Sequence, residues 1–476
     1  MRSGIALSHL SQVHEIYEGR ISVMIDALTS LLAFVVAISV LVAVHEYGHF
    51  IVGRWCGMKV LRFSIGFGKP LWTRVGKKDG TEYCISAIPL GGYVKFLGER
   101  YGNDEQIDPA DEGRAFNHRP VWMRIAVLLA GPFFNFLFAF LAYWVIFVNG
   151  VPTMKPAVGE VSESSYAAEA GLEYGDRILK VGNQDASDWE TVLVSMLDDM
   201  ISDGRVTLEV ENEAGRKRTA TIDVGNDAAR LTEPGVLFDG LGFQPWQPPA
   251  VVADLTHGGA AERAGIRKGD RITAIDEDSI ANFADLQRIV SARPNDAAAV
   301  TLVRDGRVLV VNLIIGSQEQ NGKTSGLLGI SGGGISDDYW YVRQFGPLAA
   351  IPQSIERTWV GMGFTFRMLG RMVTGDVSIK NISGPINIAQ FAGSSAAAGF
   401  NSFMRFLALV SISLGVLNLL PVPVLDGGQI VYNGIEGLKG SPLSERAQLI
   451  GQQLGIVALL LLMSFAFYND IARMLG

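Results

Sequence analysis

The sequence predicts a polytopic α-helical membrane protein with four transmembrane helices, a membrane-associated β-hairpin loop and two tandem extracytoplasmic α+β modules. Three observations predict it. Four stretches are about 20 apolar residues long, enough to cross a bilayer as a helix. A long, more polar interval separates the second from the third, and one string recurs inside that interval. Of the 476 residues, 48% are hydrophobic, too many for a typical soluble enzyme and too few for a bare helical bundle. A net charge of -8 argues against a nucleic-acid partner. Cys56 and Cys84 lack C-x-x-C spacing and read as free thiols.

Residues 1–23, with His14, Glu15, Glu18 and Arg20, are polar and carry no signal-peptide pattern. They are expected to lie outside the fold, with Met24 as a candidate start. The first transmembrane helix is placed at 24–56, since Leu31 to Val44 carries no charge. A cytoplasmic loop over 57–120 follows, then a second helix over 121–149 that contains Gly131-Pro132 and Asn135. Those residues would kink a soluble helix but are tolerated in a bundle. The third helix is expected at 401–427 and the fourth at 447–470. The first loop is rich in Lys and Arg, from Arg54, Lys59 and Arg62 to Arg119 and Arg124, which puts it in the cytoplasm and the interval from 149 to 400 outside.

Within the loop, Gly66-Phe67-Gly68 and the run from Thr81 to Phe96 are rich in strand formers, glycine and aromatics. They read as a hairpin or small sheet against the membrane. Such an edge strand could pair with an extended substrate or be purely structural. The segment 340–400, with Arg371, Asp376 and Lys380 among apolar residues, reads as helix lying on the outer membrane surface, with lipid as its partner.

The external interval repeats. Ala170-Gly171-Leu172-Glu173-Tyr174-Gly175-Asp176-Arg177-Ile178 returns as Ala264-Gly265-Ile266-Arg267-Lys268-Gly269-Asp270-Arg271-Ile272. Leu241-Gly242-Phe243 returns as Leu328-Gly329-Ile330. Two modules, 155–246 and 249–333, are the plain inference. The string A-G-[LI]-x-x-G-D-R-I resembles the helix-to-strand signature of PDZ domains, which bind extended peptides by strand addition. The resemblance implies capture of peptide C-termini or steric exclusion, and Leu241 and Leu328 are expected to serve capture.

Inside the first span, His45 and His49 stand one helical turn apart and project from one face. Two imidazoles so placed can hold one Zn²⁺, with Glu46 beside them as a proton acceptor. Ionisable residues in hydrocarbon are expensive, so the default reading is functional. The third span runs into Asn418-Leu419-Leu420-Pro421-Val422-Pro423-Val424-Leu425-Asp426-Gly427-Gly428. Prolines there free backbone groups that must line something polar. Catalytic zinc takes three protein ligands and keeps one position open, and Asp426 is the best third ligand. The first and third spans cross in the same direction, and at 1.5 Å per residue His45 and Asp426 lie ~27 and ~36 Å along them. Both sites fall toward the cytoplasmic side and can meet. A transporter with an intramembrane charge relay would leave the paired modules unexplained, and no inverted repeat of spans is visible. An inactive adaptor with structural metal would have no use for Glu46.

H-E-Y-G-H in a first span, the G-F-G-K-P and P-L-G-G-Y-V-K-F loop, tandem PDZ-like modules and N-x-x-P-x-P-x-x-D-G-G in a third span together resemble the bacterial site-2 proteases, most closely their sigma-E-regulating branch. The resemblance covers nearly the whole chain from Met24. It implies a zinc intramembrane endopeptidase of the bacterial inner membrane, acting in regulated intramembrane proteolysis and stress response, with periplasmic PDZ domains. It implies Zn²⁺ on His45, His49 and Asp426, with Glu46 as general base and Asn418 binding substrate backbone or oxyanion. The implied substrates are single-span membrane proteins such as shortened anti-sigma factors, and signal peptides. Family members often carry His where Gln429 stands, so Gln429 is not needed as a ligand.

Overall fold

A computed structural model describes residues 2–77, 79–99, 107–212, 214–233, 235–320, 323–333 and 340–475. The side chains of residues 1–26 lie outside the described residues, but the backbone of 2–23 is helical and continuous with the first span, in place of the disordered extension expected for 1–23. Contacts divide the chain into a unit formed by 27–151 with 343–476 and a unit holding 152–342.

Among the described residues, the first unit carries four helices long and apolar enough to cross a membrane, Ala27–Trp55, Val121–Asn149, Phe400–Asn418 and Glu445–Arg473. The first is the apolar part of α1 (Arg2–Trp55). Strands β1 (Val60–Val75) and β2 (Glu82–Phe96) follow as an antiparallel pair. Arg62 lies opposite both Lys95 and Glu82, so β2 meets β1 along both its halves and the sheet bends sharply through bulges. Its base is anchored, because Val60, Val94 and Phe96 bury against Phe50 of α1 and Val127 of α2 (Val121–Asn149). Its far end exposes Leu71, Trp72 and Val75.

The C-terminal part supplies α3 (Ala350–Thr374), α4 (Pro385–Ala397), α5 (Phe400–Asn418), α6 (Asp426–Lys439) and α7 (Glu445–Leu475). Ala408, Ile412 and Val416 of α5 pack on Ala139, Tyr143 and Ile146 of α2. Leu407 meets Ala37 and Leu41 of α1. At the end of α7, Asp470 accepts the backbone N–H groups of Gly384, Ile386 and Asn387 at 2.8–3.1 Å. A carboxylate there answers the unpaired donors and positive dipole end of α4.

The second unit contains two copies of one arrangement. In the first copy the strands Gln184–Asp185, Arg177–Val181, Arg205–Glu211 and Lys217–Asp223 stand in that order, with helix Trp189–Asp203. A separate pair joins Val158–Val161 to Phe243–Pro245. In the second copy Arg307–Ile314, Ala297–Arg304, Arg271–Ile275, Val251–Leu255 and Ile330–Gly333 form one sheet, with helix Phe283–Ser291. Each copy has its own apolar core.

The repeated string has a physical cause. Gly175 and Gly269 take φ of 86° and 90°, where a side chain would be strained. The Asp that follows each is 1% exposed. Asp176 accepts Glu173 N–H at 2.8 Å and pairs with Arg218, which also donates to Gly171 O at 2.7 Å. Asp270 accepts Arg267 N–H at 2.7 Å and binds Arg304 through Nε at 2.7 Å and a terminal nitrogen at 2.6 Å. Arg304 donates to Gly265 O at 2.8 Å as well. One buried carboxylate thus ties the turn to a strand in both copies.

Burial alone would raise the Asp270 pKa, but the Arg304 guanidinium and the Arg267 amide outweigh it and hold it below the usual carboxylate range. A depressed folded pKa means that the stabilisation is present above the unfolded value of ~3.9 and is lost as pH falls through the folded one. Protection factors against hydrogen exchange in residues 249–333, corrected for the intrinsic pH dependence, should therefore fall below about pH 4. Asp270→Asn should show the same loss of protection at neutral pH, since it removes the negative charge that the partly exposed Arg304 guanidinium pairs with. Unchanged protection would remove the pair from this role.

Leu241 and Leu328 correct an expectation. They are 0% and 3% exposed and belong to the two module cores, so they cannot meet a captured peptide. Leucine in a tight strand-entry turn reads alike whether it faces a groove or the core.

Candidate metal centre

The site is built where α1, α2 and the start of α6 converge. One helical turn separates His45 from His49, and their rings stand edge to face with centroids 4.8 Å apart. Both residues are 8% exposed. Their Nε2 atoms lie 3.1 Å from each other. Asp426 Oδ2 lies 3.1 Å from His45 Nε2 and 3.4 Å from His49 Nε2.

Local sequence places Asp426. Helix α5 ends at Asn418, because Pro421 and Pro423 cannot continue an α-helix ladder. The chain then turns through Val422 N–H to Leu420 O at 2.7 Å and Leu425 N–H to Val422 O at 2.8 Å. Gly427 and Gly428 are buried against the Leu419, Leu420 and Val422 carbonyls, where a Cβ would collide with backbone. Gln429 Nε2 closes the turn on Pro423 O at 3.3 Å. Asp426 is the first residue of α6, and the helix N-terminus favours its negative charge. Arg124 of α2 grips Glu436 of α6 through two hydrogen bonds, 3.0 and 2.6 Å, holding α6 beside α2.

Helix α2 also supports the two histidines. His49 Nδ1 lies 2.7 Å from the Val127 carbonyl and donates to it. His45 Nδ1 lies 3.1 Å from Asn135 Nδ2. Between them Gly131 has no side chain, and a Cβ there would strike both imidazoles. Gly131→Ala is therefore expected to displace the rings and weaken zinc binding at least as much as loss of an outer partner, ~10- to 100-fold. Chelator competition on the purified variant measures this, and wild-type affinity would show that α2 does not set the ring positions.

Glu46 lies under β2. The Val94 backbone amide hydrogen-bonds its carboxylate. Gly92 passes so close that a Cβ would approach Glu46 Cγ to 3.1 Å. The hairpin is thus part of the site. Asn418 ends α5 half-buried, and among the described residues its side chain makes no hydrogen bond. The structure gathers His45, His49 and Asp426, keeps Glu46 next to them on α1, and shows no contact from Asn418 to the three. Val127, Gly131 and Asn135 were not among the predicted site residues. A polar residue four positions beyond a glycine in an apolar span was the available signal.

The donor set fits zinc. Each of the three residues offers one ligand atom, and all three lie within 4.8 Å of one another. With Nδ1 donating to Val127 O, His49 Nε2 presents a lone pair to a buried Asp426 carboxylate oxygen that has no hydrogen-bond partner among the described residues. Lone pairs facing each other repel unless a cation lies among them. Tetrahedral zinc with ligands near 2.0 Å has ligand–ligand edges of ~3.3 Å, close to the separations seen here.

Comparison with known proteins gives the same direction. A model of peptidase family M50 matches residues 33–462. The regulator of sigma-E protease RseP of Escherichia coli (strain K12) is 41% identical over 456 residues, covering 95% of this chain and 100% of that one. Protease RseP of Yersinia pestis is 39% identical over 459 residues, with the same coverage of 95% and 100%. A putative zinc metalloprotease of Vibrio cholerae is 39% identical over 458 residues, again with 95% and 100% coverage.

Proposed function

Because the chain belongs to peptidase family M50 and is a zinc metalloprotease of the site-2 type, we propose that it cleaves single-span membrane proteins within the bilayer, using His45, His49 and Asp426 as zinc ligands and Glu46 as general base. The observation that carries this reading is the convergence of the three ligand atoms among helices apolar enough to span a membrane, with Glu46 one residue from His45. Zinc, when bound, supplies a Lewis acid that acidifies water and polarises a peptide carbonyl. Glu46 takes the proton of the attacking water on its carboxylate and passes it to the leaving amine. Asn418 binds the substrate backbone or the oxyanion. The β2 edge pairs with an unwound substrate strand, so helix-breaking residues in the target favour cleavage.

The relatives named as regulators of sigma-E support a place in sigma-E control, with anti-sigma-factor remnants and signal peptides as substrates. Basic residues in the first loop support a cytoplasmic hairpin, both chain ends outside, and periplasmic modules on a multi-pass protein of the bacterial inner membrane. The domain divisions 24–56, 57–120, 121–149, 155–246, 249–333, 340–400 and 447–470 follow that reading, whereas the third helix, expected over 401–427, ends at Asn418 because Pro421 and Pro423 break it. The two modules are PDZ domains that filter substrates by size or hold a peptide C-terminus. The exposed apolar end of the hairpin and the helical segment over 340–400 rest on lipid.

Deleting 155–333 tests the filter. Hydrolysis of a short transmembrane peptide should stay largely intact, and a full-length substrate refused by the intact enzyme should now be cut. Loss of short-peptide cleavage in a deletion variant that still binds zinc would show that the modules help build the active fold.

A further inference from the structure

Three successive turns of one α2 face meet the paired imidazoles, presenting the Val127 carbonyl, Gly131 and Asn135. For His49 the tautomer follows at once. Its Nδ1–H donates to Val127 O, which leaves Nε2 unprotonated and able to ligate. His45 has no backbone carbonyl in that position and meets the Asn135 amide.

Asn135 is fully buried, and its Oδ1 has no hydrogen-bond partner among the described residues. With Nδ2 toward His45, Nδ1 is forced to accept. The ring proton then sits on Nε2, between His49 Nε2 at 3.1 Å and Asp426 Oδ2 at 3.1 Å, where a metal needs a lone pair. A half-turn of the amide reverses this, because oxygen and nitrogen occupy nearly equivalent positions. No donor among the described residues holds Oδ1 where it lies, so the half-turn gives up no hydrogen bond made by Oδ1 and lets it accept from His45 instead. The Ser411 hydroxyl of α5 donates to the Asn135 backbone carbonyl at 2.8 Å and fixes the backbone without engaging the amide.

We propose that Asn135 is a positioning residue whose Oδ1 accepts the His45 Nδ1–H and so selects the tautomer in which His45 Nε2 binds zinc. The inference rests on His45 being a ligand. Outer partners of this kind fix ring orientation and raise ligand basicity, and their loss typically costs 10- to 100-fold in metal affinity.

The test compares Asn135→Leu, Asn135→Asp and His45→Ala in the full-length protein, by zinc competition with a chromophoric chelator and by thermal unfolding of the metal-free forms. Asn135→Leu should lose about 10- to 100-fold in zinc affinity. Asn135→Asp retains an acceptor and abolishes the donor, so it should bind zinc within a few-fold of wild type, whatever either change does to unfolding. Equal losses in the Leu and Asp variants would mean that the NH₂ group matters, and the proposal falls. An unchanged affinity in Asn135→Leu also overturns it while leaving the ligand assignment standing, provided that His45→Ala loses zinc. Full zinc affinity in His45→Ala would overturn both.

Discussion

Glu46→Gln is expected to keep zinc and lose cleavage by ~10² to 10⁴-fold, the usual scale for removing a general base. Gln matches Glu in shape and can still accept the Val94 amide, so its place under β2 is kept. What it lacks is a carboxylate that can take a proton from water. Because Glu46 is not among the three converging ligand atoms, metal content should stay at wild-type stoichiometry. Single-turnover cleavage of a labelled transmembrane peptide, measured beside zinc content, checks both halves. Near-normal turnover with zinc retained would remove Glu46 from the chemistry.

Asp426→Ala should cost both zinc and activity. It deletes one of the three proposed ligand atoms and leaves two imidazoles, which hold Zn²⁺ poorly by themselves. The fall in affinity should exceed the ~10- to 100-fold typical of an outer-shell partner. The turn that carries Asp426 is held by Gly427, Gly428, Gln429 and the Arg124–Glu436 pair, none of which needs its carboxylate. The variant should therefore fold, and a fluorescence melt in detergent can confirm it. Stoichiometric zinc in the purified variant would mean that another residue is the third ligand.

The parts of the site readable from sequence were those with residue-type signals. Two histidines at helical spacing, a glutamate between them and an aspartate after two prolines are rare in apolar spans. Apolar length alone located the four candidate spans, because one helix per bilayer crossing is a simple geometric demand. The supporting shell was harder to see. The Val127 carbonyl leaves no trace in residue type. Gly131 and Asn135 were visible as oddities in the second span, but nothing in the chain says which imidazole each would face. Arg124 reads in the sequence as a topology-setting charge, and in the structure it also holds α6 through Glu436, a pairing across more than 300 residues that no local pattern encodes. The recurrence of Gly-Asp-Arg was legible, whereas the arginines that complete each turn, Arg218 and Arg304, stand outside the repeated string.

The most direct test uses the full-length enzyme in detergent, with a single-span peptide labelled at both ends, and product masses read with zinc present, stripped and restored. The account predicts one cut inside the apolar stretch of the peptide, lost on stripping and regained with Zn²⁺. Cleavage confined to the polar flanks, or cleavage that persists after the metal is removed, would contradict it.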